Sequence, residues 1–224
     1  MHPLTIQTRP APLLVADDPA LDFLNTVASP FGERIEWLAD GEDLLAWMKL
    51  TRLITEEAEA EVRAHALPGE LDAVAAAARS LREWFRHFVL THKGRPISSA
   101  ALGDLLPLND LLARDESYLT IRVRPPENHE QDTEHATSVL ESVRHRRWRG
   151  PSSLLLPVAE TMATLVSTVD FTLVKKCECL PCTLLMHDTT QRHARRWCSM
   201  AICGNRAKQA AHRNRIKEHS KVIQ

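Results

Sequence analysis

Cys177-Glu178-Cys179-Leu180-Pro181-Cys182 and, after fifteen intervening residues, Cys198-Ser199-Met200-Ala201-Ile202-Cys203 decide how the C-terminal part of this chain folds. Pairing Cys177 with Cys182 and Cys198 with Cys203 gives two Cys-x4-Cys half-sites. A four-residue gap lets the chain turn so that two sulfurs face one ion. Two such turns complete the tetrahedral thiolate set that structural zinc prefers. The repeated spacing is the argument for this set, and it leaves Cys179 spare. A second pairing, Cys179 with Cys182, would free Cys177 instead and would break the match with the downstream half. His187 and His193 are alternative donors, but four thiolates make them unnecessary, and their ordinary reading is polar residues of a hairpin.

A complete thiolate shell leaves zinc no open position for water or substrate, so one structural Zn2+ is expected and no catalytic residue is assigned. A module of about 40 residues has little core of its own, so the metal must supply folding free energy on the order of 10 kcal/mol. The polar stretch Thr189-Thr190-Gln191 predicts a hairpin with Leu184–His187 and Arg195–Trp197 as its arms. Beyond Gly204-Asn205, residues 207–217 suit a helix. Turning about 100° per residue gathers Ala207, Ala210 and Ala211 on one narrow face that would lie against the hairpin. Arg206, Arg213 and Lys217 fall on one flank and Lys208 and Arg215 on the other, while Arg192, Arg195 and Arg196 add charge from the hairpin. Such cations suit phosphate contacts, which give affinity and salt dependence without themselves reading sequence.

The whole chain supports this polarity. Of 224 residues, 44% are hydrophobic and 25% charged, the balance of a folded globular protein. From Lys175 onward eleven basic residues face three acidic ones, a net +8, which leaves the remainder at −9 for a formal total of −1. An acidic body with a basic tail suits a protein that holds a polyanion at one end; the alternative is a solvated tail that binds nothing. All five cysteines lie between 177 and 203, which favours metal binding in a reducing compartment over a disulfide framework. No apolar run is long enough to span a bilayer, and the first ten residues lack a secretory pattern, so a cytoplasmic location and no membrane contact are expected.

The body reads as mainly helical. Leu13–Val15 suggests a short strand. Asp18-Pro19 opens a helix holding Leu21, Phe23, Leu24 and Val27, which Ser29-Pro30 and Gly32 end. Further helices carry Leu44, Leu45, Trp47 and Met48, and begin at Thr55-Glu56-Glu57. The clearest periodicity runs over residues 68–91, where Leu71, Val74, Ala78, Leu81, Phe85 and Phe88 mark one buried stripe. Pro107 should bend or divide residues 101–113. Residues 117–124 alternate with period two, predicting a half-buried strand stopped by Pro125-Pro126. Residues 127–134 read as a loop, residues 136–147 fit either a strand or a short helix, and residues 154–169 fit a buried helix. The fold class is therefore α+β: a mainly helical N-terminal domain over 1–170 with a small sheet or hairpin, then a four-cysteine finger over 171–224. The two cores are expected to be separate.

Two stretches resemble known families. Cys-x4-Cys, Asp188-Thr189-Thr190, Arg195-Arg196-Trp197-Cys198-Ser199-Met200 and Cys203-Gly204-Asn205-Arg206-Ala207-Lys208 together are similar to the CGNR zinc finger. Leu21-Asp22-Phe23-Leu24-Asn25-Thr26, Ser80-Leu81-Arg82-Glu83 and Leu108-Asn109 resemble landmarks of the ABATE domain, which accompanies that finger in bacterial proteins. Cys179 and His187 depart from the finger's usual pattern without removing a ligand. The resemblance implies a stress-related transcription regulator with a sensing body and a DNA-binding finger. Its DNA contacts would come from Arg192, Arg195, Arg196, Arg206, Lys208, Arg213, Arg215 and Lys217. A small-molecule effector would be held by Asp22, Asn25, Thr26 and Arg82, unless those polar groups only cap helices and satisfy buried backbone. The oligomeric state stays open, a homodimer included. The competing class is a zinc-stabilised protein- or RNA-interaction adaptor; an enzyme ranks behind both, since no nucleophile, base and orienting acid assemble.

Overall fold

The computed structural model describes residues 9–124 and 140–222, with side chains described through 216 except Asn214. Asp18 caps the first helix, α1 (Pro19–Leu24), its carboxylate accepting from the N–H groups of Ala20 and Leu21 at 2.8 and 3.1 Å. The helix ends before the apolar spacing through Val27 suggests, because Val27–Ala28 extends as β1 and pairs antiparallel with β2 (Ile35–Glu36). The Leu13–Val15 segment forms no strand. Asp22 Oδ1 takes the N–H groups of Val15 and Ala16, both at 3.0 Å, so they are lost to any ladder.

Asp40 caps α2 (Gly41–Leu50) and Thr55 caps α3 (Glu56–His65). The long α4 (Glu70–His92) buries Val74, Ala78, Phe85 and Phe88, the stripe read from the sequence, with Leu71 and Leu81 half-buried. Gly41 lets α2 start directly on α4: a Cβ there would lie 2.5 Å from Leu71 Cβ and 2.7 Å from its carbonyl carbon. The segment around Pro107 divides into a 3-10 turn (Ser99–Leu105) and α5 (Leu106–Leu112), since proline lacks the N–H a continuous helix needs. The buried helix expected near 154–169 is α6 (Leu155–Thr168), which packs on α1, α4 and α5 and buries Leu156, Val158, Ala159, Met162 and Leu165. Each such side chain removed from water is worth about 1.5–3 kcal/mol.

Residues 117–123 form β3 (Ser117–Val123), and the undecided segment forms β4 (Leu140–Arg146), antiparallel to it with Tyr118 opposite His145 and Val123 opposite Leu140. The Pro125-Pro126 stop and the 127–134 loop lie outside the described residues. The strand is not half-buried. Leu119, Ile121, Val123 and Leu140 share one face and are 57–66% exposed, because alternation specifies a face but not what covers it. The ribbon is tied down at its base, where Arg146 donates to Asp115 at 2.7 and 3.0 Å and to Glu160 of α6 at 3.0 Å.

The C-terminal hairpin also differs from expectation. Its strands are β5 (Val174–Lys176) and β6 (Leu185–His187), so the partner of Leu184–His187 is the chain leading into Cys177, while Arg195–Trp197 is irregular. Asp188 is the reason. Its fully buried carboxylate accepts from Thr190 N–H and Oγ1, from Arg195 N–H and from Lys175 Nζ, and so curls residues 190–195 into a loop.

Separate cores are not observed. Val174 and Leu185 belong to the body's main core, and Ala28 and Trp37 of the body form the second core together with Leu184 and the five cysteines. Leu13, Val15 and Ile35 pack against that second core. The C-terminal segment does not enclose its sulfurs alone here: the N-terminal segment supplies one wall of that core. Among the described residues three non-glycines, Asp17, Arg52 and His193, adopt left-handed backbone at φ 57°, 58° and 48°, at a cost of about 1–2 kcal/mol each. Among the described residues no helix is long and apolar enough to cross a membrane.

Candidate metal centre

The chain brings its half-sites together through backbone turns. Cys177 N–H donates to Leu184 O at 2.9 Å, which fixes the first cysteine at the end of the β5–β6 ladder, and Cys182 N–H closes a turn onto Cys179 O at 2.7 Å. On the other side Ser199 opens a π-helical turn (Met200–Gly204). Its Oγ accepts from Ile202 N–H at 3.0 Å and its carbonyl from Cys203 and Gly204 N–H at 3.1 and 3.0 Å. Cys198 N–H donates to Cys177 Sγ at 3.4 Å, linking the halves.

The outcome is a buried cluster in which the sulfurs of Cys177, Cys182, Cys198 and Cys203 all lie within 4.8 Å of one another. A tetrahedral zinc with bonds of about 2.3 Å would separate its sulfurs by about 3.8 Å, so the donor set fits such an ion. These are the four ligands expected from the repeated spacing; Cys179 is buried beside them but outside the cluster, and neither His187 nor His193 joins it. Four sulfurs this close compete for protons. Burial pushes the Cys203 thiol up to about 12, hydrogen bonding to Cys177 and Cys182 raises Cys198, and hydrogen bonds from Cys182 and Cys198 lower Cys177. A divalent cation removes that conflict by holding all four as thiolates. Arg206 answers the resulting negative charge: its Nη2 donates to Cys203 Sγ at 3.1 Å.

This geometry gives each residue of Cys203-Gly204-Asn205-Arg206 a task. Cys203 supplies sulfur, and Gly204 admits Met200 Sδ, which a Cβ would meet at 2.5 Å. Asn205 starts α7 (Asn205–Val222), and Arg206 returns to the metal ligand.

The eight cations expected at DNA separate into two groups. Arg195 is not available: it bonds Asp17, Val15 O, His187 O, Trp197 O and Cys198 O, a staple between the metal core and the N-terminal segment. Arg206 is engaged at the sulfur. Arg196 pairs with Glu178 at 2.6 Å and lies over Trp197. Arg192, Lys208, Arg213 and Arg215 are exposed and make no hydrogen bond or ion pair among the described residues. Lys217 belongs to α7, with its side chain outside the described residues. The alanine face expected to dock along the helix does so only at its start: Ala207 and Ala210 are half-covered, and Ala211 is exposed.

The four residues expected to hold an effector are hydrogen-bonded within the fold. Asp22 serves the backbone of Val15 and Ala16, and Asn25 exchanges two hydrogen bonds with Leu185. Thr26 bonds Phe23 O and receives Arg82, whose buried guanidinium also grips Glu36 with two bonds of 2.7 Å. Burial alone would raise the Glu36 carboxyl; the hydrogen bonds from Arg82 bring it below its ordinary value. These side chains spend their polar groups on the fold. Asp188, Trp37 and the Arg195 staple were missed as parts of the site. Asp188-Thr189-Thr190 was the available signal, since an aspartate followed by threonine favours side-chain-closed turns.

Two family comparisons agree with this arrangement. Residues 174–216 match the CGNR zinc finger. Residues 17–169 match ABATE, described as "Putative stress-induced transcription regulator". No curated protein matches the chain. With most of its length matched, the chain belongs to the ABATE family and carries a CGNR zinc finger C-terminal to that domain.

Proposed function

We propose that this protein regulates transcription by holding DNA through α7 and the exposed cations of the finger, with one zinc ion shaping the finger and the body sensing a ligand or partner. The observation that carries this reading is α7 itself. Ala211, His212, Arg213, Arg215 and Ile216 are all exposed, so beyond its first turns the helix is not built to cover a core. Lys208, Arg213 and Arg215 face solvent with no carboxylate partner among the described residues, and Arg192 adds to them. A helix of this kind fits the groove of a polyanion, and the cytoplasm is where it would meet one. The finger's role is support rather than catalysis, because four sulfurs fill the coordination of zinc.

Fluorescence anisotropy with duplex DNA tests the reading. Affinity should fall steeply between about 50 and 200 mM salt, and Arg213→Ala and Arg215→Ala should each weaken binding and reduce the salt slope by about one. Affinity indifferent to both substitutions would overturn it. A second reading, the interaction adaptor, is favoured by the exposed apolar face of the β3–β4 ribbon. It predicts no duplex affinity even at low salt.

A further inference from the structure

A cavity of about 690 Å3 opens between the start of α3 and the β3–β4 ribbon. It shares Arg52, Leu53, Arg146 and Glu160 with a second cavity of about 360 Å3 that reaches α6, and both sizes suit a small ligand. One wall is aromatic and aliphatic. Tyr118 stacks on His145 with ring centroids 5.4 Å apart, and Trp148, Leu53, Ile54 and Val143 continue the surface.

The shared portion presents two arginines. Arg146 shares its charge between Asp115 and Glu160 through Nε and Nη2, which leaves Nη1 as its donor for a ligand. The side chain of Arg52 makes no hydrogen bond or ion pair among the described residues, its backbone N–H alone being engaged, on Lys49 O at 3.0 Å. Glu57 and Glu61 line the larger cavity; of the carboxylates on the smaller, Glu160 is held by Arg146 and Asp18 caps α1 through Oδ1.

The backbone of Arg52 adds an independent sign. The turn after α2 closes with Leu53 N–H on Met48 O at 2.8 Å and puts Arg52 in the left-handed region, where glycine is the unstrained choice. The other two left-handed side chains are tied within the fold, Asp17 to Thr189 and Arg195, His193 to Asp188 O. Of the three, Arg52 has the one side chain without a partner among the described residues, and that side chain lines both cavities.

We infer that this cleft binds a small aromatic carboxylate, its carboxylate held by Arg52 and Arg146 and its ring lying against Tyr118, Val143 and Trp148. The inference deepens the sensing half of the proposed function and moves the ligand away from Asp22, Asn25, Thr26 and Arg82. It rests on that reading for its regulatory meaning and not for the binding itself.

Isothermal titration of the full-length, zinc-loaded chain with 1-naphthaleneacetate and with the neutral 1-naphthaleneacetamide tests it. The acid should bind at least tenfold more tightly than the amide. Arg52→Gly should weaken the acid at least fivefold, bring acid and amide closer together, and raise Tm by relieving the turn. Arg52→Gln should weaken the acid without that gain in Tm, and Tyr118→Ala should weaken both compounds. Equal affinities for acid and amide, no binding of either, or an Arg52→Gly chain that binds the acid normally would overturn the proposal. Wild-type DNA affinity measured in parallel separates the two readings, since a failed regulator shows there and a failed cleft shows only in the calorimetry.

Discussion

Asn25 and Leu185, 160 positions apart in the chain, exchange two buried hydrogen bonds: Asn25 Nδ2 donates to Leu185 O at 2.8 Å, and Leu185 N–H donates to Asn25 Oδ1 at 2.9 Å. A side-chain amide thus completes the outer edge of β6 and locks the cysteine-bearing hairpin to the end of α1. Asn25→Ala leaves a buried N–H and a buried carbonyl without partners, and should cost about 2–4 kcal/mol in urea denaturation. Asn25→Asp should also be costly, because a carboxylate cannot donate to Leu185 O. Stability unchanged in both variants would show that the clasp is dispensable.

The shared second core predicts how the chain responds to losing its metal. Cys198→Ser, or zinc removal by a chelator, withdraws a contribution on the order of 10 kcal/mol from a core that includes Trp37 and Ala28. Far-ultraviolet circular dichroism and tryptophan fluorescence should then report one coincident transition at a lower Tm. A body that melts at its original temperature, with only the tail disordered, would contradict the shared core.

Gly41 offers a test of the α2–α4 packing. Gly41→Ala places a methyl carbon inside the contact distance of Leu71 Cβ and its backbone, so the helices must shift apart. The expected loss is about 1–3 kcal/mol despite alanine's better helix propensity. Thermal unfolding of that single variant suffices, and a gain in Tm would refute the close approach.

Acidity should act on two aspartates with opposite sign. Burial lifts Asp22 from 3.8 to about 6, so the folded state holds this proton where the unfolded chain has released it, and stability from this group falls as pH rises from about 4 through 6. Asp22→Asn keeps an oxygen for Val15 and Ala16. It should stabilise the chain by on the order of 1–3 kcal/mol at pH 8, with the difference vanishing near pH 4. At Asp188 burial opposes ionisation, but hydrogen bonds from Lys175 and Thr190 and the backbone bond from Arg195 win and hold the carboxyl below its ordinary value. Its contribution is complete above the ordinary carboxylate range and is lost as pH falls through the depressed value. Denaturation midpoints of Asp188→Asn should therefore lie below wild type at pH 7 and approach it in acid.

Helices with caps and long apolar stripes were legible in the sequence because both signals are local. Asp18, Thr55 and the α4 stripe each act within a few residues of themselves. The four cysteines were legible because a metal imposes a repeated spacing. What stayed hidden depends on partners far along the chain. Nothing near Leu185 announces that β6 pairs with the residues before Cys177, and nothing near Trp37 announces that it seats beside sulfur. The polar residues of α1 read equally well as ligand contacts or as internal caps, and only their hydrogen bonds decide. Arg195 looked like its neighbours, yet Asp17 and the carbonyls around it make it structural.

The Arg195 staple and the position of Trp37 mean that the finger is not a transferable cassette. Residues 174–222 grafted onto a foreign carrier would arrive without the indole and the aliphatic wall that dry one side of the thiolates, and with Arg195 stripped of Asp17 and Val15. Water reaching the cluster would loosen its grip on an ion, so any chimera that uses this finger needs residues 13–37 of its own chain.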